Sequence, residues 1–319
     1  MEVYRIDGRT MRLAFRLDAR ESSQVIIRSC GESFYYLNED SSNYYIRKVE
    51  NGREYLVFQY EKGAGTAVIA NFYLDVNSNI YICGVSQPGG DDISGLGFVA
   101  KSNYPNPPLI IAGSMVAGYN SNIYPSGVNQ DSNDGSQAMF NDTYGIWINR
   151  SGDIYLIDNY KVSIKHIQPN GRTRTLFEND VGTNPSIISS FGITGNENGD
   201  IFAIVKISIN DGFGIAKISK NGTITILAGD LINNGFVDGQ GQEARFDFSE
   251  VPGHLAMCPI SNVLYVMDDN GLRKVTESGL VTTAAPRSYS DTVANYSSGN
   301  VIVDSRGIPY VVYPDSFPP

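Results

Sequence analysis

The chain has 319 residues, 41% hydrophobic and 18% charged. That length suits two ordinary domains or one large all-β domain, with ample apolar surface for a core. Its 24 Lys and Arg against 34 Asp and Glu give a net charge of −10, which repels a phosphate backbone and disfavours nucleic acid as a partner. Three cysteines, Cys30, Cys83 and Cys258, form no C-x-x-C pair; an odd number argues against a disulfide framework, and they read as small buried hydrophobes.

The chain opens on Val3-Tyr4-Arg5-Ile6-Asp7-Gly8, and that phrase returns. It recurs as Ile46-Arg47-Lys48-Val49-Glu50-Asn51-Gly52, as Ile164-Lys165-His166-Ile167 before Asn170-Gly171, as Ile215-Ala216-Lys217-Ile218 before Asn221-Gly222, and as Leu272-Arg273-Lys274-Val275 before Ser278-Gly279. Upstream of each lies a turn and then an apolar strand with an aromatic residue near its start. Six such anchors occur, at Tyr35, Tyr81, Tyr155, Phe202, Tyr265 and Tyr310. A shorter apolar strand precedes each anchor, and a fourth strand follows each Gly turn. The Asn-Gly pairs suit the positive backbone angles that a tight hairpin demands.

Four antiparallel strands cannot bury both faces of their own sheet, so the units must stack. The expected fold is an all-β, six-bladed β-propeller spanning 1–319 as a single domain. Its blades are expected at about 17–60, 66–112, 138–178, 187–228, 244–284, and 298–319 completed by 1–16. The last anchor has too few residues after it for two more strands, whereas the N-terminus begins with a third-strand phrase. The N-terminal strands therefore close the last blade, which removes an open sheet edge. The second blade has the weakest signal, with Phe98-Val99-Ala100-Lys101 and a Pro-rich turn in place of the usual phrase. Insertions at 113–137 and 228–243 are expected to form face loops that engage a ligand.

Met1 leads directly into charged, strand-like sequence with no apolar leader. No run approaches the ~18 apolar residues of a membrane span. The chain is then either not exported by the usual route or a mature fragment of an extracellular or surface-associated protein. Four Asn-x-Ser/Thr triplets, at Asn141, Asn149, Asn221 and Asn295, carry no weight in an Asn-rich chain.

Two segments resemble the NHL repeat. One runs through Leu227-Ala228-Gly229, Asp238-Gly239, Ala244-Arg245-Phe246-Asp247, Leu264-Tyr265-Val266-Met267-Asp268 and Leu272-Arg273-Lys274-Val275. The other runs through Ile111-Ala112-Gly113, Asp134-Gly135, Ala138-Met139-Phe140-Asn141, Ile154-Tyr155-Leu156-Ile157-Asp158 and Ile164-Lys165-His166-Ile167. The likeness is strong over 110–285. The copies at 66–112 and 290–319 lack the Asp-Gly…Ala-x-Phe segment. The resemblance implies a propeller, most often six-bladed, and structural roles for Asp75, Asp158, Asp268 and Asp304. It leaves the role open among RNA-binding and protein-binding modules, amidating lyases and calcium-dependent lactonase-like enzymes.

Catalytic chemistry finds little support. Only two histidines are present: His166, expected on a solvated edge of a third strand, and His254, at the start of an innermost strand, where the plainer reading is a hydrogen-bonded structural residue. No nucleophile elbow, metalloprotease helix or P-loop occurs. Asp131-Ser132-Asn133-Asp134-Gly135 hints at a calcium loop but lacks the later acidic ligands, and Asp134-Gly135 reads as the repeat's own Asp-Gly turn. Gly90-Asp91-Asp92 reads as a solvated hairpin tip. The first residues of innermost strands that could face a channel are Asn71, Asp142, Ser190, His254 and Asn300. With one carboxylate, that set offers thin support for a channel calcium, and no cofactor is predicted. The basic residues Arg5, Arg47, Lys48, Lys165, Lys217, Arg273 and Lys274 recur at what reads as one repeat position and are taken as scaffold.

Twenty tyrosines with many Asn and Ser residues suit a polar recognition surface, although most tyrosines serve to pack blades. Tyr119, Asn120, Tyr124 and Asn129 in the first insertion are candidates for it. The expected role is a monomeric, non-enzymatic binding module for a protein or carbohydrate ligand. The alternative is a metal-dependent lyase or lactonase-like hydrolase with its site in the central channel.

Overall fold

The computed structural model describes residues 2–7, 10–17, 26–63, 67–86, 96–115, 130–141, 143–158, 163–178, 186–187, 192–206, 212–248, 253–286 and 300–313. The chain begins with β1 (Glu2–Asp7) and β2 (Thr10–Arg16). Residues 21–180 form one compact unit with three antiparallel sheets. The first is β3 (Ile26–Cys30), β4 (Ser33–Glu39), β5 (Asn43–Glu50) and β6 (Arg53–Glu61). The second is β7 (Ala67–Leu74), β8 (Ile80–Ser86), β9 (Gly97–Asn103) and β10 (Asn106–Gly113). The third is β11 (Thr143–Ile148), β12 (Ile154–Asp158), β13 (Ser163–Ile167) and β14 (Thr173–Glu178).

Residues 1–20 and 181–319 form the other unit, also with three sheets. In its first, β15 (Ser186–Ile187) and β16 (Ile193–Gly195) both pair with β17 (Ile201–Lys206), followed by β18 (Phe213–Ile218) and β19 (Ile224–Ala228). In its second, β21 (His254–Met257), β22 (Leu264–Asp268), β23 (Gly271–Val275) and β24 (Leu280–Pro286) gain a short outer strand, β20 (Gly239–Gln240). In its third, β25 (Asn300–Val303) and β26 (Pro309–Tyr313) are completed by β1 and β2. Val3 lies opposite Val312 and Arg5 opposite Tyr310, so the N-terminal strands finish the last sheet as expected. The fold is a six-bladed β-propeller of four-stranded antiparallel blades. The second blade is as complete as the others despite its weak signal.

One cross-strand row organises every blade. The anchor aromatic on the second strand lies opposite a basic residue on the third: Tyr35 with Lys48, Tyr81 with Lys101, Tyr155 with His166, Phe202 with Lys217, Tyr265 with Lys274, and Tyr310 with Arg5. Lys101 and Lys274 each sit 5.7 Å from their ring centroid, and His166 stacks on Tyr155 at 5.0 Å. These cations are tied down by acids as well, with Lys48 on Glu50 and Lys217 on Asp200 at 2.7 Å each. His166 is buried rather than on a solvated edge. Arg174 Nε donates to its Nδ1 at 2.9 Å, so Nε2 carries the proton and donates to Asp153 Oδ1 at 3.0 Å.

The basic residues of the repeated phrase therefore occupy two positions, not one, because neighbouring strand residues point to opposite sheet faces. Lys165 and Arg273 lie on the other face and are fully buried. A buried cation without a counter-charge costs several kcal/mol, and each is met by an aspartate from the segment that enters the blade. Lys165 Nζ donates to Asp131 Oδ1 at 3.0 Å, and the same carboxylate accepts the backbone N–H and hydroxyl of Thr175. Arg273 Nη2 donates to Asp238 Oδ1 at 2.8 Å, and that carboxylate accepts the N–H and hydroxyl of Thr283. Arg273 also donates to the Val237 and Arg245 carbonyls and to buried Asp268, with its guanidinium 4.2 Å from the Phe236 ring centroid.

These two clasps place Asp131, not Asp134, at the position of Asp238. Asp134 instead accepts from Ser136 N and caps a 3-10 turn at Gly135–Gln137. The corresponding turn at Gly241–Glu243 follows Gln240, and both end at a buried alanine, Ala138 or Ala244. The clasps also fix the fate of the insertions. Residues 237–245 pair with one another and with β24, and Gly229 N and Gly241 N donate to the Gly241 and Gly279 carbonyls. The 228–243 segment is thus bound along the outer edge of its blade instead of forming a free face loop. Its entry glycine, Gly229, has φ 105°, and a Cβ there would strike the Phe213 carbonyl.

The four aspartates singled out by the resemblance fall into two sets. Asp75 and Asp304 follow first strands and cap the next turn, accepting from Asn79 N and Ile308 N at 2.9 Å. Asn149 and Asn196 do the same in their blades. Asp158 and Asp268 end second strands and are buried. Burial pushes the Asp268 carboxyl up to about 7, and the Asn270 N–H and Arg273 only partly offset it. Burial also acts to raise Asp238, but there the Thr283 and Arg273 donors win and leave it below the usual carboxylate value.

Arg273→Met is expected to lower unfolding free energy in urea by about 3 kcal/mol or more, since it strips the donor from buried Asp268 and two carbonyls. Lys165→Met, which abandons only half-exposed Asp131, is expected to cost under about 2 kcal/mol; equal costs would contradict this ranking. The raised Asp268 contributes stability that is complete below its ordinary pKa of 3.8 and is lost as pH rises through about 7. Thermal melts across that window should show a decline in stability that Asp268→Asn removes, and a decline unchanged in the variant would refute the assignment.

Candidate functional site

The first strand of each blade contributes one residue opposite the anchor aromatic. In five blades this residue is Tyr73, Trp147, Thr194, Ala256 or Ile302. In the blade of β3 it is Arg28, opposite Tyr35. Arg28 is thus a cation at a position that is aromatic, aliphatic or small in the rest of the scaffold, and it lies in an otherwise apolar start, Ile26-Ile27.

Neighbouring strand β7 shapes the surroundings of Arg28. A bulge between Ile69 and Asn71 shifts the register against β8. It lies so close to Gly84 that a Cβ there would strike the Val68 carbonyl. The bulge aims buried Asn71 at Arg28, whose Nη2 donates to Asn71 Oδ1 at 2.9 Å. The same oxygen accepts from Phe72 N at 2.8 Å. Arg28 Nη1 donates to the Ile27 carbonyl at 2.9 Å. The guanidinium lies 5.9 Å from the ring centroids of both Phe72 and Tyr73. Nε is buried and has no acceptor among the described residues. Among the described residues no carboxylate pairs with Arg28, and desolvation lowers its pKa. From β11, Thr143 Oγ1 donates to the Gly84 carbonyl at 2.7 Å and accepts from Gly84 N at 2.9 Å, pinning the third blade to the second. Burial pushes the Cys83 thiol up to about 12, against smaller opposing effects of Thr143, Arg28 and the Asn71 backbone.

Of the residues singled out in the sequence, Asn71 joins this site. His254 and Asn300 open β21 and β25, neighbouring first strands of the other unit; His254 is partly exposed and Asn300 buried. Tyr119, Asn120, Tyr124, Asn129, Asp142 and Ser190, with Gly90-Asp91-Asp92, lie outside the described residues. Among the described residues no group of three His, Cys, Asp or Glu side chains converges to hold a metal ion. None of the described helices is long and apolar enough to cross a membrane. Sequence reasoning missed Arg28 because it attends to basic residues that repeat; the available signal was a basic residue that does not.

No protein-family model matches this sequence, and no curated protein matches it. Solved structures do. An auxiliary nutrient binding protein from Bacteroides thetaiotaomicron shares 14% identity over 92% of this chain and 69% of its own, with a TM-score of 0.55. A gluconolactonase from Xanthomonas campestris shares 10% identity over 98% of this chain and 95% of its own, with a TM-score of 0.53. At this identity the likeness shows a common propeller fold and nothing finer.

Alkylation at pH 8 read by mass spectrometry tests the packing around the site. Cys30 is partly exposed, whereas Cys83 and Cys258 are buried. Only Cys30 is expected to be labelled in the folded protein. Rapid labelling of Cys83 would contradict its burial beneath the site.

Proposed function

We propose that this chain is a single NHL-like recognition propeller that binds a glycan without chemical turnover. The observation that carries the reading is the pairing of Arg28 with Asn71 beside Tyr73. A sugar ring needs an aromatic face flanked by hydrogen-bonding groups, and partly exposed Tyr73 stands next to an amide and a guanidinium. In contrast, His166 has both ring nitrogens engaged by Asp153 and Arg174, which leaves it no free base for catalysis. The basic residues of the third strands face anchor rings or pair with aspartates, which supports a scaffold role over a nucleic-acid surface. Tyr119, Asn120 and Tyr124 remain sequence-based candidates for further ligand contacts from the first insertion.

A metal-dependent lyase or lactonase-like hydrolase is the second reading. It draws on the gluconolactonase neighbour and on His254, partly exposed at the start of a first strand. It requires a calcium ion held by carboxylates and amides.

Screening on a glycan array is expected to find a bound oligosaccharide whose affinity falls about 10-fold in Tyr73→Ala. Retention of a protein ligand with no glycan bound would overturn the choice of ligand. Lactone hydrolysis that calcium supports and EDTA abolishes would favour the enzyme.

A further inference from the structure

We propose that Arg28 is a receptor for a carboxylate, so that the ligand is an acidic, uronate-bearing glycan. The inference rests on the recognition reading above and narrows it to one chemical class. Three independent observations lead to it.

The first is positional. The scaffold places its cations on the third strand, opposite the anchor rings, or buried on the other face against Asp131 and Asp238. Arg28 follows neither rule. The five corresponding first-strand residues, Tyr73, Trp147, Thr194, Ala256 and Ile302, are uncharged. Folding of a blade therefore does not require a cation there.

The second is the unbalanced charge. Buried Lys165 and Arg273 each receive an aspartate, while Arg28, desolvated and in a chain with ten excess negative charges, receives none among the described residues. A guanidinium has five N–H donors, and two are used here, on the Ile27 carbonyl and Asn71 Oδ1. Three remain, one of them the buried Nε–H. The Nε–H of Arg273 is unmet in the same way; the two remaining Nη hydrogens of partly exposed Arg28 are the donors that a bound anion would meet.

The third is shape. The Phe72 and Tyr73 rings flank the guanidinium, and Asn71 fixes its orientation. A planar fork held in this way matches a planar carboxylate. Tyr73 supplies the face for the sugar ring that carries it.

Isothermal titration with a hexuronate oligosaccharide, its carboxyl-reduced neutral counterpart and a sulfated neutral oligosaccharide separates the possibilities. The wild-type protein is expected to prefer the uronate by about 10- to 100-fold over the neutral sugar. Arg28→Gln is expected to level the two, and Arg28→Lys to keep part of the preference. The wild-type comparison stands even if a variant fails to fold. Equal binding of acidic and neutral sugars would overturn the carboxylate receptor while leaving glycan recognition intact. Sulfate bound as tightly as uronate would overturn the choice of carboxylate. Binding of none of the three would overturn both the receptor and the glycan reading.

Discussion

Two blades depend on a buried cation in the third strand and the aspartate that reaches it. Lys165 and Arg273 are sealed in their blades, where an unpaired charge would cost several kcal/mol. Arg273 also draws on buried Asp268 in its own hairpin, but each cation receives an aspartate on the chain leaving the preceding blade. Asp131 and Asp238 each hold the cation with one oxygen and the fourth strand's Thr175 or Thr283 with both. One carboxylate thereby joins a linker to two strands. The consequence for function is subtractive. Residues 130–137 and 228–243, described parts of the two insertions, are spent on joining blades.

Much of this was legible in the sequence, because the anchor aromatics mark an obligatory packing position. Tyr35, Tyr81, Tyr155, Phe202, Tyr265 and Tyr310 each sit in a second strand, and the third-strand phrase at residue 3 correctly located the seam of the last blade. The errors have physical sources. Asp134-Gly135 imitates Asp238-Gly239 in letters, but the clasp is defined by reach to the cation, and Asp131 has that reach. The Asn-Gly pairs do carry the expected positive φ, at both residues in Asn51-Gly52 (50° and 73°) and at the glycine alone for Gly171 and Gly222. His166 looked solvated because a lone strand gives no hint of Asp153 and Arg174 converging on it.

The candidate site was half legible. Asn71 stood out as the polar start of an inner strand, yet its partner Arg28 lies in the previous blade and has no counterpart elsewhere in the repeat. Repeats reveal scaffold by recurrence, so function falls where recurrence fails. Arg28 breaks the first-strand pattern, pairs with no carboxylate among the described residues and is held by an amide and two aromatic rings.

The central claim is that ligand recognition is centred on Arg28 and Asn71 in first strands and not on the clasped segments 130–141 and 228–243. Amide chemical-shift mapping of the wild-type protein titrated with a hexuronate oligosaccharide tests it most directly. The account predicts that the largest shifts fall within 26–30 and 67–74 while 130–141 and 228–243 stay still. Shifts concentrated in 130–141 and 228–243, with Arg28 and Asn71 unmoved, would contradict it.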